Sequence, residues 1–178
     1  MLDSLITSKT RIKLLTRFFL NSNTHGHLRG LETEFGESSN AIRLELNRFE
    51  KAGLLTSQAQ GNRKVYAANT LHPLFPEINS LLRKHFGLDQ LVEHVIERLG
   101  EVQEVYLTGA FAHGQDSTDI EMILVGGEVN IDYLDRLIEK STKLIKHLIR
   151  YRLMTPVQLQ ELAKSSGKEN LLLLWKRN

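Results

Sequence analysis

The stretch from Ser38 to Gly53 constrains this chain more than any other. The cap-type residues Ser38 and Ser39 open it and Gly53 closes it, which bounds a helix over 39–52. Wound at about 100° per residue, Ile42, Leu46 and Phe49 share one narrow arc with Ala52 beside it. The opposite arc carries Asn40, Arg43, Leu44, Asn47, Arg48 and Lys51, with no acid among them. Glu45 and Glu50 fall outside it. A merely solvated face usually mixes both signs of charge. Arginine can bond guanine with two N–H groups in the major groove, and asparagine can do the same to adenine. Arg48 and Lys51 suit phosphates better.

The flanking residues supply a small domain around this helix. Ser4 to Asn21 has helical spacing at Leu5, Ile12, Leu15 and Phe19, and Leu28 to Phe35 fits a second helix stopped by Gly36. Two strand-like runs follow the third helix, Leu54–Ser57 and Lys64–Ala68, around a polar loop with Gly61-Asn62 as its turn. The 178 residues carry a formal net charge of only +2, which by itself looks too neutral for a nucleic-acid binder. The average is misleading. Residues 1–70 hold ten Lys/Arg and six Asp/Glu, a balance of +4, and the remainder is −2. His72-Pro73 and Phe75-Pro76 mark the junction, because a residue before proline is pushed out of the helical region.

Ser38 to Leu55, with Glu50-Lys51-Ala52-Gly53-Leu54 at the helix end, followed by Gly61-Asn62-Arg63-Lys64-Val65-Tyr66, resembles the winged helix-turn-helix of ArsR-like bacterial regulators. The resemblance covers about residues 1–70. It implies a recognition helix at 39–52 in the major groove and a wing at 58–64 that reaches phosphates or the minor groove, through Arg63 and Lys64. Some winged helices make protein contacts only. The chain has no cysteine, so thiolate metal sensing does not carry over, and disulfides and cysteine nucleophiles are excluded.

Beyond the junction, Pro73–Phe86 and Leu88–Leu99 read as amphipathic helices, with 71–87 as a helical linker and 88–178 as a second domain. Glu101–Thr108 has a strand pattern, Gly109 to Gly114 a glycine loop, and Asp119–Gly126 a second strand. Helix Ile131–His147, strand Leu148–Met154 and a helix opened by Thr155-Pro156 follow. The fold class is therefore α+β, a winged helix-turn-helix followed by a small α/β domain.

Gly109-Ala110-Phe111-Ala112-His113-Gly114, a spacer, then Thr118-Asp119-Ile120-Glu121 resembles the nucleotidyltransferase superfamily with the DNA polymerase β-like core. The family pattern is Gly-Ser-x-Ala-Arg-Gly and then Ser-Asp-x-Asp. The resemblance covers roughly residues 88–165. It implies a nucleotide held at Gly109, Ala110, His113 and Gly114, and Mg²⁺ held by Asp119 and Glu121. Acids at i and i+2 of a strand project from one face, and two metal ions about 3.5–4 Å apart would clamp a triphosphate. The chain departs from the pattern in four ways. Ala110 replaces the phosphate-binding serine, His113 the arginine, and Glu121 the second aspartate. The later strand, which in the family bears a third carboxylate, reads His147-Leu148-Ile149-Arg150-Tyr151-Arg152-Leu153-Met154 with no acid, and Arg150 or Arg152 could stand as a fixed cation in its place. Together these changes argue against two-metal catalysis, and Asp119 and Glu121 read equally well as solvated strand-edge acids.

The expectation is a DNA-binding transcriptional regulator with an inactive nucleotidyltransferase-like domain for sensing, dimerisation or scaffolding. No cofactor is expected, and no catalytic residue is assigned. The expected partners are double-stranded DNA, a second copy of the chain meeting through helices of 71–99, and a nucleotide effector. The alternative is a Mg²⁺- and nucleoside-triphosphate-dependent nucleotidyltransferase with a winged-helix targeting arm. Among seven histidines only His25 and His27 are close, in a loop signal with Gly26, where solvation is the common state. Leu171–Trp175 reads as a packing segment. The sequence shows neither a signal-peptide layout nor a run of roughly 20 apolar residues, so a cytoplasmic location away from membranes is expected.

Overall fold

The computed structural model describes residues 2–167 and 170–177. The chain is a mixed α+β protein that divides into two compact units, residues 1–85 and 86–178. Among the described residues, no helix is long and apolar enough to cross a membrane.

The first unit begins with α1 (Leu2–Leu5) and α2 (Lys9–Leu15), the latter capped by Ser8, whose Oγ accepts from the Arg11 N–H at 3.2 Å. The single helix expected over 4–21 is therefore broken, first at this cap and then by a π-helical turn over Thr16–Leu20. That turn buries Phe18, Phe19 and Leu20. A short strand β1 (His25–His27) follows, where a loop was expected. Helices α3 (Leu28–Phe35) and α4 (Ser39–Lys51) occupy the residues their caps predict. Ser38 Oγ accepts from the Ala41 N–H at 3.3 Å, and Gly36 ends α3 with φ 62°. Strands β2 (Leu55–Gln60) and β3 (Arg63–Ala68) make an antiparallel hairpin, and β1 pairs with the other side of β3. The loop expected over 58–63 contracts to a two-residue turn, Gly61-Asn62. Gly61 has φ 57°, the left-handed value that tight hairpin turns require.

The apolar stripe of α4 meets this frame as its spacing dictates. Ile42 and Leu46 are fully buried with Leu14, Phe18 and Leu31. Glu45 is also buried. Arg11 grips its carboxylate with Nε and Nη2, at 2.9 and 3.1 Å, and Arg48 Nη1 adds a third bond at 2.9 Å. Helix α5 (Phe75–His85), within the residues expected as linker, packs on the π-helical turn. Its Phe75 ring lies 5.6 Å from Phe19, and Asn79 Nδ2 donates to the carbonyls of Phe19 and Leu20 at 2.7 and 3.3 Å.

The second unit is a four-stranded sheet in the order β6-β5-β4-β7. Its strands are β4 (Val102–Thr108), β5 (Asp119–Gly126), β6 (Leu148–Met154) and β7 (Leu172–Lys176). Leu171–Trp175 thus contributes mostly to an edge strand. Pairings are antiparallel except β5–β6, which is parallel. Parallel neighbours need a crossover, and α8 (Ile131–Ile145) supplies it, ending at Lys146 in the left-handed conformation. Helix α6 (Leu88–His94) packs against α8 and continues as a 3₁₀ turn over Ile96–Arg98. Helix α9 (Pro156–Ser166), with the Thr155–Gln158 capping box, sets Leu159 against Ile123 and Val125.

Burial pushes the Glu45 carboxyl upward, but the bonds from Arg11 and the charges of Arg11 and Arg48 outweigh it and hold it below the ordinary 4.5. A depressed carboxyl contributes stability above its unfolded value and loses it as pH falls through the folded one. Glu45→Gln should therefore cost about 2 kcal/mol in denaturant unfolding at pH 7. The gap between parent and variant should close as pH drops below about 4.5. Unfolding curves that stay equally far apart down to pH 2 would remove this ion pair from the account.

Candidate nucleic-acid interface and nucleotide site

The outward side of α4 is solvent-facing over all its expected site residues: Asn40, Arg43, Leu44, Asn47, Arg48 and Lys51 are exposed. Leu44 keeps 52% of its surface in water. These residues are not equivalent. Arg48 is tied to Glu45, and Lys64 Nζ sits 2.7 Å from Glu50 and 5.2 Å from the Tyr66 ring centre. The bond from Lys64 and that from Ser57 hold the Glu50 carboxyl below its ordinary range, and Lys64 is raised in return. Arg43 and Lys51 have no hydrogen bond or ion pair with a described residue in the structure and remain available to a ligand.

Between α4 and the hairpin lies a groove of about 1000 Å³. Arg43 and Asn47 line it from α4, and Gln60, Asn62, Arg63 and Lys64 from the hairpin. His27 and Arg29 join from β1 and α3, and no acid is among its lining residues. The structure therefore brings Arg43, Asn47, Arg63 and Lys64 to one concavity, while Asn40, Leu44, Arg48 and Lys51 lie outside its lining. Sequence reasoning missed His27 and Arg29, and within the expected wing it did not single out Gln60 and Asn62. The only signal for His27 was its period-two spacing from His25 just ahead of a helix, and that became legible only through the pairing of His27 with Val65.

In the second unit, the glycine loop is a one-turn helix, α7 (Gly109–Ala112), between β4 and β5. Gly109 has φ 62°, and a Cβ there would stand 3.0 Å from the Glu121 Cδ. The Glu121 carboxylate thus lies over the glycine that the resemblance assigns to a phosphate. The N–H groups of His113 and Gln115 donate to the Ala110 carbonyl, and that of Gly114 to Phe111. Phe111 is buried, 5.1 Å from the Phe86 ring and 5.8 Å from the His147 ring.

Asp119 and Glu121 share a face of β5, as their spacing dictates, and the parallel register sets Arg150 opposite Glu121 and Arg152 opposite Ile123 on that face. Arg150 Nε lies 3.0 Å from Asp119 Oδ2, and Thr118 Oγ1 donates to the other oxygen at 3.1 Å. Two Mg²⁺ ions need several oxygens with lone pairs free. One carboxylate here is already turned to a guanidinium, and among the described residues no three His, Asp or Glu side chains gather into a metal-holding group. The residues present do not fit a two-metal centre.

No protein-family model matches this chain. No curated protein matches it either. A solved structure from Sulfolobus solfataricus, described as "a putative nucleotidyltransferase", is similar at 22% identity. The match covers 56% of this chain and 86% of that one, with a TM-score of 0.38. At so low a score the similarity carries no argument about chemistry, which rests on the side chains above.

Two measurements test this arrangement. Gly109→Ala combines a left-handed backbone with a tight contact to the Glu121 side chain and should cost about 1–3 kcal/mol of stability. Adding Glu121→Ala should recover part of that loss. Calorimetric titration of the parent with Mg²⁺ should give no saturable heat. Saturable heat that disappears in Asp119→Ala would restore the metal reading.

Proposed function

We propose that the first unit is a winged helix-turn-helix that binds double-stranded DNA, and that the protein is a transcriptional regulator. The observation that carries this reading is the acid-free groove in which Arg43 and Asn47 of α4 face Arg63 of the hairpin. The acids nearest to it are withdrawn into internal bonds: Glu45 to Arg11 and Arg48, and Glu50 to Lys64 and Ser57. What remains outward is a set of N–H donors and cations, the complement of phosphate and of base-edge acceptors. Arg43 and Asn47 are assigned to base edges, and Arg63 and Lys51 to the backbone. The short hairpin, with a two-residue turn, has Arg63 paired with Gln60 at the first position of β3.

One module of this size offers a small interface, so useful specificity calls for two copies reading two half-sites. The second unit is assigned a nucleotidyltransferase-like ancestry with its chemistry lost, and a role in dimerisation, sensing or scaffolding. The Asp119–Arg150 contact supports the loss, since it holds a strand acid with a cation built into the protein.

Selection of duplex DNA by the purified full-length protein, with and without ATP and Mg²⁺, tests the reading directly. An enriched site is expected, and its absence under both conditions would count against DNA binding. On that site Arg43→Ala should cost about 1–3 kcal/mol and relax the preference at one position. Lys51→Ala should weaken selected and random duplexes alike. Equal losses for Arg43→Ala on both duplexes would remove it from base reading.

A further inference from the structure

At the rim of the groove the imidazole of His27 meets the guanidinium of Arg63. His27 ends β1 and caps α3: the Gly30 N–H donates to His27 Nδ1 at 3.0 Å. The ring lies directly over Gly30, where a Cβ would come within 3.1 Å of its Cε1, so glycine at this helical position keeps the cap in place. A neutral imidazole has one acceptor nitrogen. With Nδ1 accepting, the proton is on Nε2, and Nε2 faces Arg63 Nη1 at 3.4 Å. Donor therefore faces donor. Reversing the tautomer would let Nε2 accept from Arg63 but would leave the Gly30 N–H without its acceptor. In either state two N–H groups of this set find no acceptor within it and are left to solvent or a ligand. Both side chains open on a groove that also holds Arg29 and Arg43, and no acid lines it.

An anionic oxygen between His27 Nε2 and Arg63 would accept from both and resolve the mismatch. We infer that His27 and Arg63 form a clamp for one phosphate group, with the neutral Nε2–H and the guanidinium as its two jaws. On the DNA-binding reading above, on which this source of phosphate rests, the group is a backbone phosphate next to the bases met by Arg43 and Asn47. The clamp fixes the position of the protein on the duplex and carries no base preference.

The full-length protein, labelled with ¹⁵N-histidine, is titrated with inorganic phosphate against chloride at matched ionic strength. The Nε2 and Cε1–H signals of His27 should shift in the parent and stay still in Arg63→Ala. Unmoved signals in the parent overturn the clamp, whatever the protein does with DNA. In the second arm, His27→Asn keeps an acceptor for the Gly30 N–H, but its shorter side chain draws its own N–H donors back from Arg63. It should bind selected and random duplexes about tenfold more weakly. One methylphosphonate substitution in the duplex should weaken the parent more than it weakens His27→Asn, which keeps only the Arg63 jaw. Arg63→Ala, which removes no cap, should lower the slope of log affinity against log salt by about 1, and it carries this arm if His27→Asn fails to fold. Unchanged duplex affinity in folded His27→Asn overturns the clamp. A phosphate-dependent shift without duplex binding upholds the clamp for free phosphate and overturns its DNA source.

Discussion

The three-armed ion pair of Glu45 with Arg11 and Arg48 underlies the first unit. A carboxylate on the inner flank of α4 would oppose folding if left alone, because burying an unpaired charge costs several kcal/mol. Paired with Arg11 across α2, it fastens the two helices with directional bonds in addition to the apolar contacts of Ile42 and Leu46. It also removes a negative charge from the surface where Arg43 and Asn47 project. Packing and the charge of the outward face are therefore one decision, made at one residue. The cost falls on Arg48, which serves this bond as well as facing solvent.

The second unit uses a guanidinium in a related way with a different result. Asp119 sits at the start of β5, where its strand neighbour β6 brings Arg150 within 3.0 Å. In the first unit the acid is inside and the bond supports packing. Here both partners are partly exposed, so the pair adds little stability, but it satisfies Asp119 with a cation that cannot leave. Glu121 is exposed, with its carboxylate over the space that a side chain at position 109 would enter. Of the two acids, Asp119 has both oxygens in contacts with the chain itself, to Arg150 and Thr118.

Much of the local structure could be read from the residues. The Gly36 stop of α3, the caps of α4, the positive-φ glycines and the apolar runs of β4 and β5 are short-range signals, and most of these elements fall close to their expected bounds. What escaped depends on distant partners. His25-Gly26-His27 has no strand propensity of its own and becomes β1 only because β3 offers a free edge. The π-helical turn over Thr16–Leu20, on which α5 packs, continues a helical pattern that carries no local sign of the change. The candidate site shows the same division. Helical spacing placed Asn40 to Lys51 on the exposed side of α4, but it could not show that Arg48 and Lys64 are held by carboxylates. Nor could the sequence choose between Arg150 and Arg152 as the partner of Asp119. Strand register makes that choice.

The placement of β7 has a bearing on how the second unit reaches its native state. Val105 pairs with Trp175, about 70 residues further along the chain, whereas β2 and β3 are joined by a turn of two residues. Long closures must give up chain entropy before any contact repays it. The hairpin unit can form early from local pairings, while the larger sheet stays open on the β4 side until Leu172–Lys176 arrives. During that interval the exposed edge of β4 is a template for any extended segment nearby, so the proper order of assembly hangs on the timely arrival of a five-residue strand.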